Sequence, residues 1–368
     1  MSRNKDQITT AQAAVIIINY MLGAGILTLP RTTVEAVKTP DVWISILISG
    51  MLVMIAGFII VKLCSKFPGK TIFQFAQEIT GKWISFILGT AIIIFFLTIC
   101  AFETRIMAEV TGLYLLEGTP KWAIVLVFMW IGFYLIMGGI NSISRLYEII
   151  LPITLVFFLT AIFLSSSIFD TDNLRPVLGS GIMPVFNGLK PTLLAFTGYE
   201  SMLVVMAFMS TPRKGGKAMI AGILTSLVIY LITLIMTVGG LSVDGVKTKT
   251  WPTLDLMRSF EMEGLIFERF ESLLLVIWIM QMFSTYTFTH YAASLGCAQL
   301  LRKKITPFRL IMLPVIYIFA MVPQSLDQVF KLGDFIGNAS IYLFGAVPLL
   351  LLMLSIIRKK GIRLNDQS

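Results

Sequence analysis

Apolar stretches of about 20 residues, the length an α-helix needs to cross the hydrocarbon of a bilayer, recur from Ala11 to Ile357 with few gaps. No water is available at that depth to satisfy backbone N–H and C=O groups, so unbroken apolar runs of this length fold as helices. Reading the runs between charged or Gly/Pro-containing gaps places spans at 10–33, 42–62, 86–113, 122–139, 147–168, 184–210, 218–240, 264–289, 308–323 and 337–357. Of the 368 residues, 57% are hydrophobic and 13% charged, against about 25% charged in soluble domains. That composition excludes a soluble globular protein. The expected fold is all-α and integral to the membrane, with about ten transmembrane helices in one polytopic domain over residues 1–368 and no cleaved signal peptide.

The net charge of +9 encodes orientation and points to no nucleic-acid partner. Cytoplasmic loops gather Lys and Arg. With a cytoplasmic amino terminus, the inner segments hold 18 of the 29 basic residues and only four acids, a surplus of +14. Both termini are then cytoplasmic. The three cysteines, Cys64, Cys100 and Cys297, form no CxxC pair, and His290 is the single histidine. These counts give no reason to expect a metal site or a cofactor, and the absence of a nucleophile–base pair or phosphate loop argues against an enzyme. The segment from Lys62 to Lys82, with Phe67, Ile72, Phe73, Phe75 and Ala76 among polar residues, fits either an interfacial helix or a solvated loop. Trp251-Pro252-Thr253, in the long outer connection 241–264, fits a short helix or turn over the outer vestibule, or an interface-anchored loop.

Two spans carry weak points. The first reads Met21-Leu22-Gly23-Ala24-Gly25-Ile26, where two glycines strip the backbone of shielding side chains; the sixth reads Thr197-Gly198-Tyr199-Glu200. Gly23 and Gly198 are 175 residues apart, close to half the chain. Paired interruptions at matched positions point to a transporter-like inverted repeat, here about 10–168 and 184–357, with broken helices lining a midplane site. Unpaired amides at a half-helix amino terminus suit a carboxylate, so the expected ligand is of amino-acid size.

Charges inside spans cost at least about 2.5–3.5 kcal/mol each unless paired or hydrated. Span three holds Glu103, Arg105 and Glu109; span eight holds Glu268, Arg269 and Glu271. Arg105 and Glu109 share a helix face, whereas Glu103 and Arg105 point nearly opposite ways. We expect the two sets to form a polar network locking spans three and eight. Glu200 sits too deep to snorkel. It needs a proton, a ligand amine, a cation or unwound backbone to hold it. Ser284 and Thr285, with Gln281, Thr287 and Thr289, offer oxygens for a low-priority Na⁺ site; such hydroxyls more often bond their own backbone. His290 is expected to be an interfacial or packing residue.

The run Met21-Leu22-Gly23-Ala24-Gly25-Ile26-Leu27-Thr28-Leu29-Pro30-Arg31 resembles the first helix of the spore germination permeases. These are the B-type subunits of spore nutrient germinant receptors, within the amino acid–polyamine–organocation transporter superfamily. Phe102-Glu103-Thr104-Arg105, Asn173-Leu174-Arg175-Pro176-Val177, Trp251-Pro252-Thr253 and Ile266-Phe267-Glu268-Arg269-Phe270-Glu271 resemble the same family in collinear order. The resemblance implies a LeuT-like fold of ten helices in a five-plus-five inverted repeat, with helices one and six broken. It also implies a receptor subunit in the inner spore membrane that binds a germinant, typically an amino acid, and acts with A-type and C-type partners. The superfamily's ligand site, carried to this chain, falls on Gly23, Ala24, Gly25, Phe196, Gly198 and Glu200. The runner-up is a proton-coupled amino acid symporter. Glu200→Gln should damage the ligand response or transport while leaving membrane expression intact, and a fully active variant removes Glu200 from the mechanism.

Overall fold

The first helix opens with a capping box: the Thr9 hydroxyl accepts from the Gln12 amide (3.1 Å) and Gln12 Oε1 accepts from the Thr9 amide (2.9 Å). In the computed structural model, which describes residues 7–258 and 270–361 and the side chains of these residues outside 257–274, that helix stops in mid-span. α1 is Thr10–Leu22 and α2 is Gly25–Val37, bent by 50° across Gly23 and Ala24. Then follow α3 (Val42–Ser65), α4 (Ile72–Thr80), α5 (Lys82–Tyr114), α6 (Lys121–Met137) and α7 (Gly139–Ser165). The sixth span is α8 (Met183–Asn187), α9 (Leu189–Ala195) and α10 (Met202–Val205), with 43° between Met183–Ala195 and Tyr199–Phe208. After it come α11 (Gly215–Thr248), α12 (Pro252–Arg258), α13 (Phe270–Leu300), α14 (Ile305–Met321), α15 (Leu326–Ser340) and α16 (Val347–Ile357).

The two breaks meet. Gly198 has φ +139°, and a Cβ there would lie 2.8 Å from Met21 Cγ and 3.1 Å from Met21 N. Only glycine combines that backbone with that approach. α13 lies along α5, while α1 packs on α7, α11 and α13, so longer helices pack around the first broken span. Trp83, Tyr134 and Phe163 are among the exposed large side chains, as expected where lipid and the headgroup region, not water, cover the protein.

Two segments with open readings are helical. α4 buries Ile72, Phe73, Phe75, Ala76 and Ile79 and is held by Arg358, which donates to the Ile79 carbonyl (2.6 Å). α12 follows Trp251, which is buried, and the Thr253 hydroxyl donates to the Ile26 carbonyl of α2 (3.0 Å). The outer connection is shorter than 241–264 implies, because α11 resumes beyond a non-helical Ser242 (φ 61°) and runs to Thr248.

Arg105 Nε meets Glu109 Oε1 at 2.8 Å and its Nη1 donates to the Ala320 carbonyl of α14 (3.1 Å); Lys121 Nζ reaches the same Glu109 oxygen at 2.7 Å. This polar set therefore ties α5 to α6 and α14. Glu268 and Arg269 lie outside the described residues, as does the Glu271 side chain. Glu103 turns away to α2, as the following section describes. Arg105 and Glu109 have side chains only 4% and 9% exposed, and stripping one partner from a buried pair costs about 3–5 kcal/mol. Among the described residues, Glu109 keeps Lys121 when Arg105 is lost, whereas Arg105 keeps only a carbonyl when Glu109 is lost. Thermal unfolding should therefore rank Glu109→Gln as more destabilising than Arg105→Met, and the reverse order would contradict this assignment.

Candidate functional site

Interrupting a helix inside the bilayer releases backbone groups that must find partners. At the start of α2 the Ala24 amide donates to both carboxylate oxygens of Glu103, at 3.1 and 2.9 Å. The α2 dipole adds a positive end at the same point. Gly23 makes room: a Cβ there would meet Thr285 Oγ1 at 2.4 Å and Glu103 Oε1 at 2.8 Å. On the other side of the break, the Thr285 hydroxyl of α13 donates to the Tyr20 carbonyl (2.9 Å). The Tyr230 hydroxyl of α11 lies against the Met21 carbonyl and against the Ala195 carbonyl (2.8 Å), touching both broken helices.

The second break is served locally. Glu200 folds back so that Oε2 accepts from the Gly198 amide (2.7 Å), and Oε1 accepts from the Tyr20 hydroxyl (2.9 Å). The Phe196 ring stands edge-on to Tyr230 with centroids 5.5 Å apart. Glu103 and Glu200 are 5% and 0% exposed, and among the described residues no Lys or Arg lies within ion-pair distance of either.

A cavity of about 40 Å³ lies at the first break, lined by Tyr20, Gly25, Thr28, Phe102, Glu103, Ala195 and Thr285 among others. By this measure a water needs about 10–15 Å³, so the space suits a few waters. Beside it is a vestibule of about 470 Å³ bordered by Arg31, Glu35, Lys190, Asp327 and Asp334; Thr32 and Pro191 border both, so the two adjoin. Arg31 pairs with Glu35 (2.8 Å) and stacks over Phe330 (5.1 Å). The ends of the broken spans away from the vestibule are joined by backbone. Ile8 N donates to the Phe208 carbonyl and Ser210 N to the Ile8 carbonyl, both at 2.9 Å, linking the approach to α1 with the end of the sixth span.

The geometry separates the candidate residues. Gly23, Ala24, Gly25, Phe196, Gly198 and Glu200 all come together around the two breaks, yet of these only Gly25 lines the cavity; Glu200 stands behind Tyr20. Ser284 Oγ donates to the Met280 carbonyl (3.0 Å), and Gln281 Nε2 donates to Thr154 (2.7 Å). Thr287 and Thr289 bond the preceding turn of α13 at 2.8 and 2.7 Å, and the Tyr147 hydroxyl shares the Ser284 carbonyl and Thr287 Oγ1. His290 is buried between the Tyr286 hydroxyl (3.1 Å) and the Arg309 carbonyl (2.9 Å), as a packing residue would be. No group of three His, Cys, Asp or Glu suited to a metal occurs among the described residues. Sequence reasoning missed Tyr20, Tyr230 and Tyr147. The available signal was a phenol in the middle of an apolar span, which must find a buried acceptor.

The sequence profile of the family described as spore germination protein matches residues 7–329. Spore germination protein YndE of Bacillus subtilis (strain 168) is 52% identical over 357 residues, covering 96% of this chain and 98% of that protein. Among solved structures, the nucleobase-cation-symport-1 family transporter Mhp1, closed with bromovinylhydantoin bound, superposes with TM-score 0.75 at 13% identity, over 99% of this chain and 82% of that one. MhsT in complex with L-phenylalanine gives TM-score 0.69 at 11% identity, over 95% and 89%. These likenesses establish the LeuT-like membrane fold with its inverted repeat and its broken helices one and six. The profile match and the extent of the likeness to YndE make this chain a member of the spore germination protein family.

Proposed function

We propose that the protein is the membrane subunit of a nutrient germinant receptor in the inner spore membrane. It binds a small germinant, an amino acid, between the breaks of the first and sixth spans, and it triggers germination with A-type and C-type partner subunits. The observation that carries this reading is the cavity itself. It adjoins a vestibule, lies at a half-helix amino terminus, and is bordered by the Glu103 carboxylate, by the hydroxyl-bearing Tyr20, Thr28, Thr32, Thr197 and Thr285, and by residues of both broken spans. MhsT, of the same fold, holds L-phenylalanine. Family membership supports the role in germination, and the positive-inside balance supports cytoplasmic termini.

A second reading, a proton-coupled amino acid symporter, draws on Glu103 and Glu200, two buried acids with no ion-paired base among the described residues. The receptor reading predicts that the purified protein binds labelled amino acid in proteoliposomes without accumulating it, and that spores lacking the gene lose a nutrient response. Concentrative uptake driven by a pH gradient would instead establish the symporter.

A further inference from the structure

The half-helix terminus that suits a ligand carboxylate is already filled. Both oxygens of Glu103 lie within 3.1 Å of the Ala24 amide, and the carboxylate arrives from a different span, α5, through the gap that Gly23 leaves. The carbonyls released by the same break are filled too, by Thr285 and Tyr230. The remaining cavity, about 40 Å³, suits waters and is too small for an amino acid beside them. Glu103 borders that cavity, so withdrawing its carboxylate both empties the amide and enlarges the space.

We infer that Glu103 is a tethered occupant of the ligand-carboxylate seat, and that binding exchanges one carboxylate for the other. This rests on the proposed site between the breaks. Charge then selects the ligand class. A carboxylate without an amine would leave two anions side by side in a low-dielectric site, whereas an amine without a carboxylate would leave the Ala24 amide unsatisfied. An α-amino acid supplies both groups on one carbon: its carboxylate takes the amide and its ammonium faces the displaced Glu103. A tethered group competes at an effective concentration that a simple free anion does not match, so wild-type protein should ignore small carboxylates.

The test needs no germinant. Purified full-length wild type and Glu103→Ala are compared by thermal unfolding with millimolar sodium formate, with acetamide as the neutral control. The expected result is a rise in Tm of about 2 °C or more with formate in the variant, none in wild type, and none with acetamide in either. Equal shifts in both proteins, or a shift in neither, would overturn the inference. If Glu103→Ala yields no folded protein, Glu103→Gln takes its place. A neutral amide yields the seat to formate more readily than a carboxylate does, so the same contrast with wild type is expected, and its absence would overturn the inference in the same way. Formate has no amine and no side chain, so the outcome is independent of whether an amino acid is the germinant.

Discussion

Everything around the candidate site follows from the inability of hydrocarbon to hydrogen-bond. Two helices are interrupted at membrane depth, and each interruption releases amides and carbonyls whose burial without a partner costs about 1–3 kcal/mol apiece or more. The Ala24 and Gly198 amides and the Tyr20, Met21 and Ala195 carbonyls all have side-chain partners. Four of those five contacts come from α5, α11 or α13. The breaks therefore do more than weaken two helices; they fasten the broken pair to three neighbouring helices. Tyr230 carries the most of this load, because one hydroxyl touches backbone of both breaks.

The same bonds limit how far a ligand can shift the arrangement. Moving a two-state equilibrium from 1:99 to 99:1 takes about 5.5 kcal/mol of differential affinity. Of the five contacts only those of the Glu103 and Glu200 carboxylates belong to the charged class worth about 1.5–3 kcal/mol, and a ligand that displaces one gains only the difference between the bond it makes and the bond it replaces. Access is asymmetric in this state. The cavity adjoins the vestibule on one side, while at the opposite ends of the broken spans the backbone bridge between Ile8 and Met209, together with Thr10 and Thr211 at 3.1 Å, joins the two. That joint connects the ends of the two broken spans that lie away from the vestibule.

Much of this was legible in the residues. Gly23 and Gly198 marked the breaks because glycine in an apolar span removes the shielding that keeps a helix closed, and their half-chain spacing marked the repeat. The i,i+4 rule placed Arg105 on Glu109. The same spacing argument put Glu103 on another face, but helical geometry says only which way a side chain leaves its own helix. A search for the partner of a buried acid among cations overlooked a neutral backbone amide at a helix terminus, which is an equally good partner. Tyr20 and Tyr230 escape notice in the sequence for a related reason, and Thr285 stands out there only as an oxygen donor for an ion, not as a partner of the Tyr20 carbonyl. A hydroxyl in a span carries no signal of its own until the packing shows which neighbouring helix has carbonyls to spare. The two segments that turned out to be helices, α4 and α12, were undecided because an amphipathic stretch of seven to nine residues folds only when a surface is available to cover its apolar face.

The two buried acids then differ in kind. Glu200 caps a break from two residues away on the same strand of backbone, and its other oxygen is held by Tyr20. It cannot leave without reshaping the turn around Gly198, whose φ of +139° is open to glycine and to little else. Glu103 caps its break from a separate, continuous helix, so a change of side-chain rotamer suffices to withdraw it while α5 stays intact. Glu103 borders the cavity and Glu200 does not. Of two carboxylates doing the same hydrogen-bonding task, one is built into the turn it caps and the other reaches its amide from a separate helix, and only the second borders the cavity.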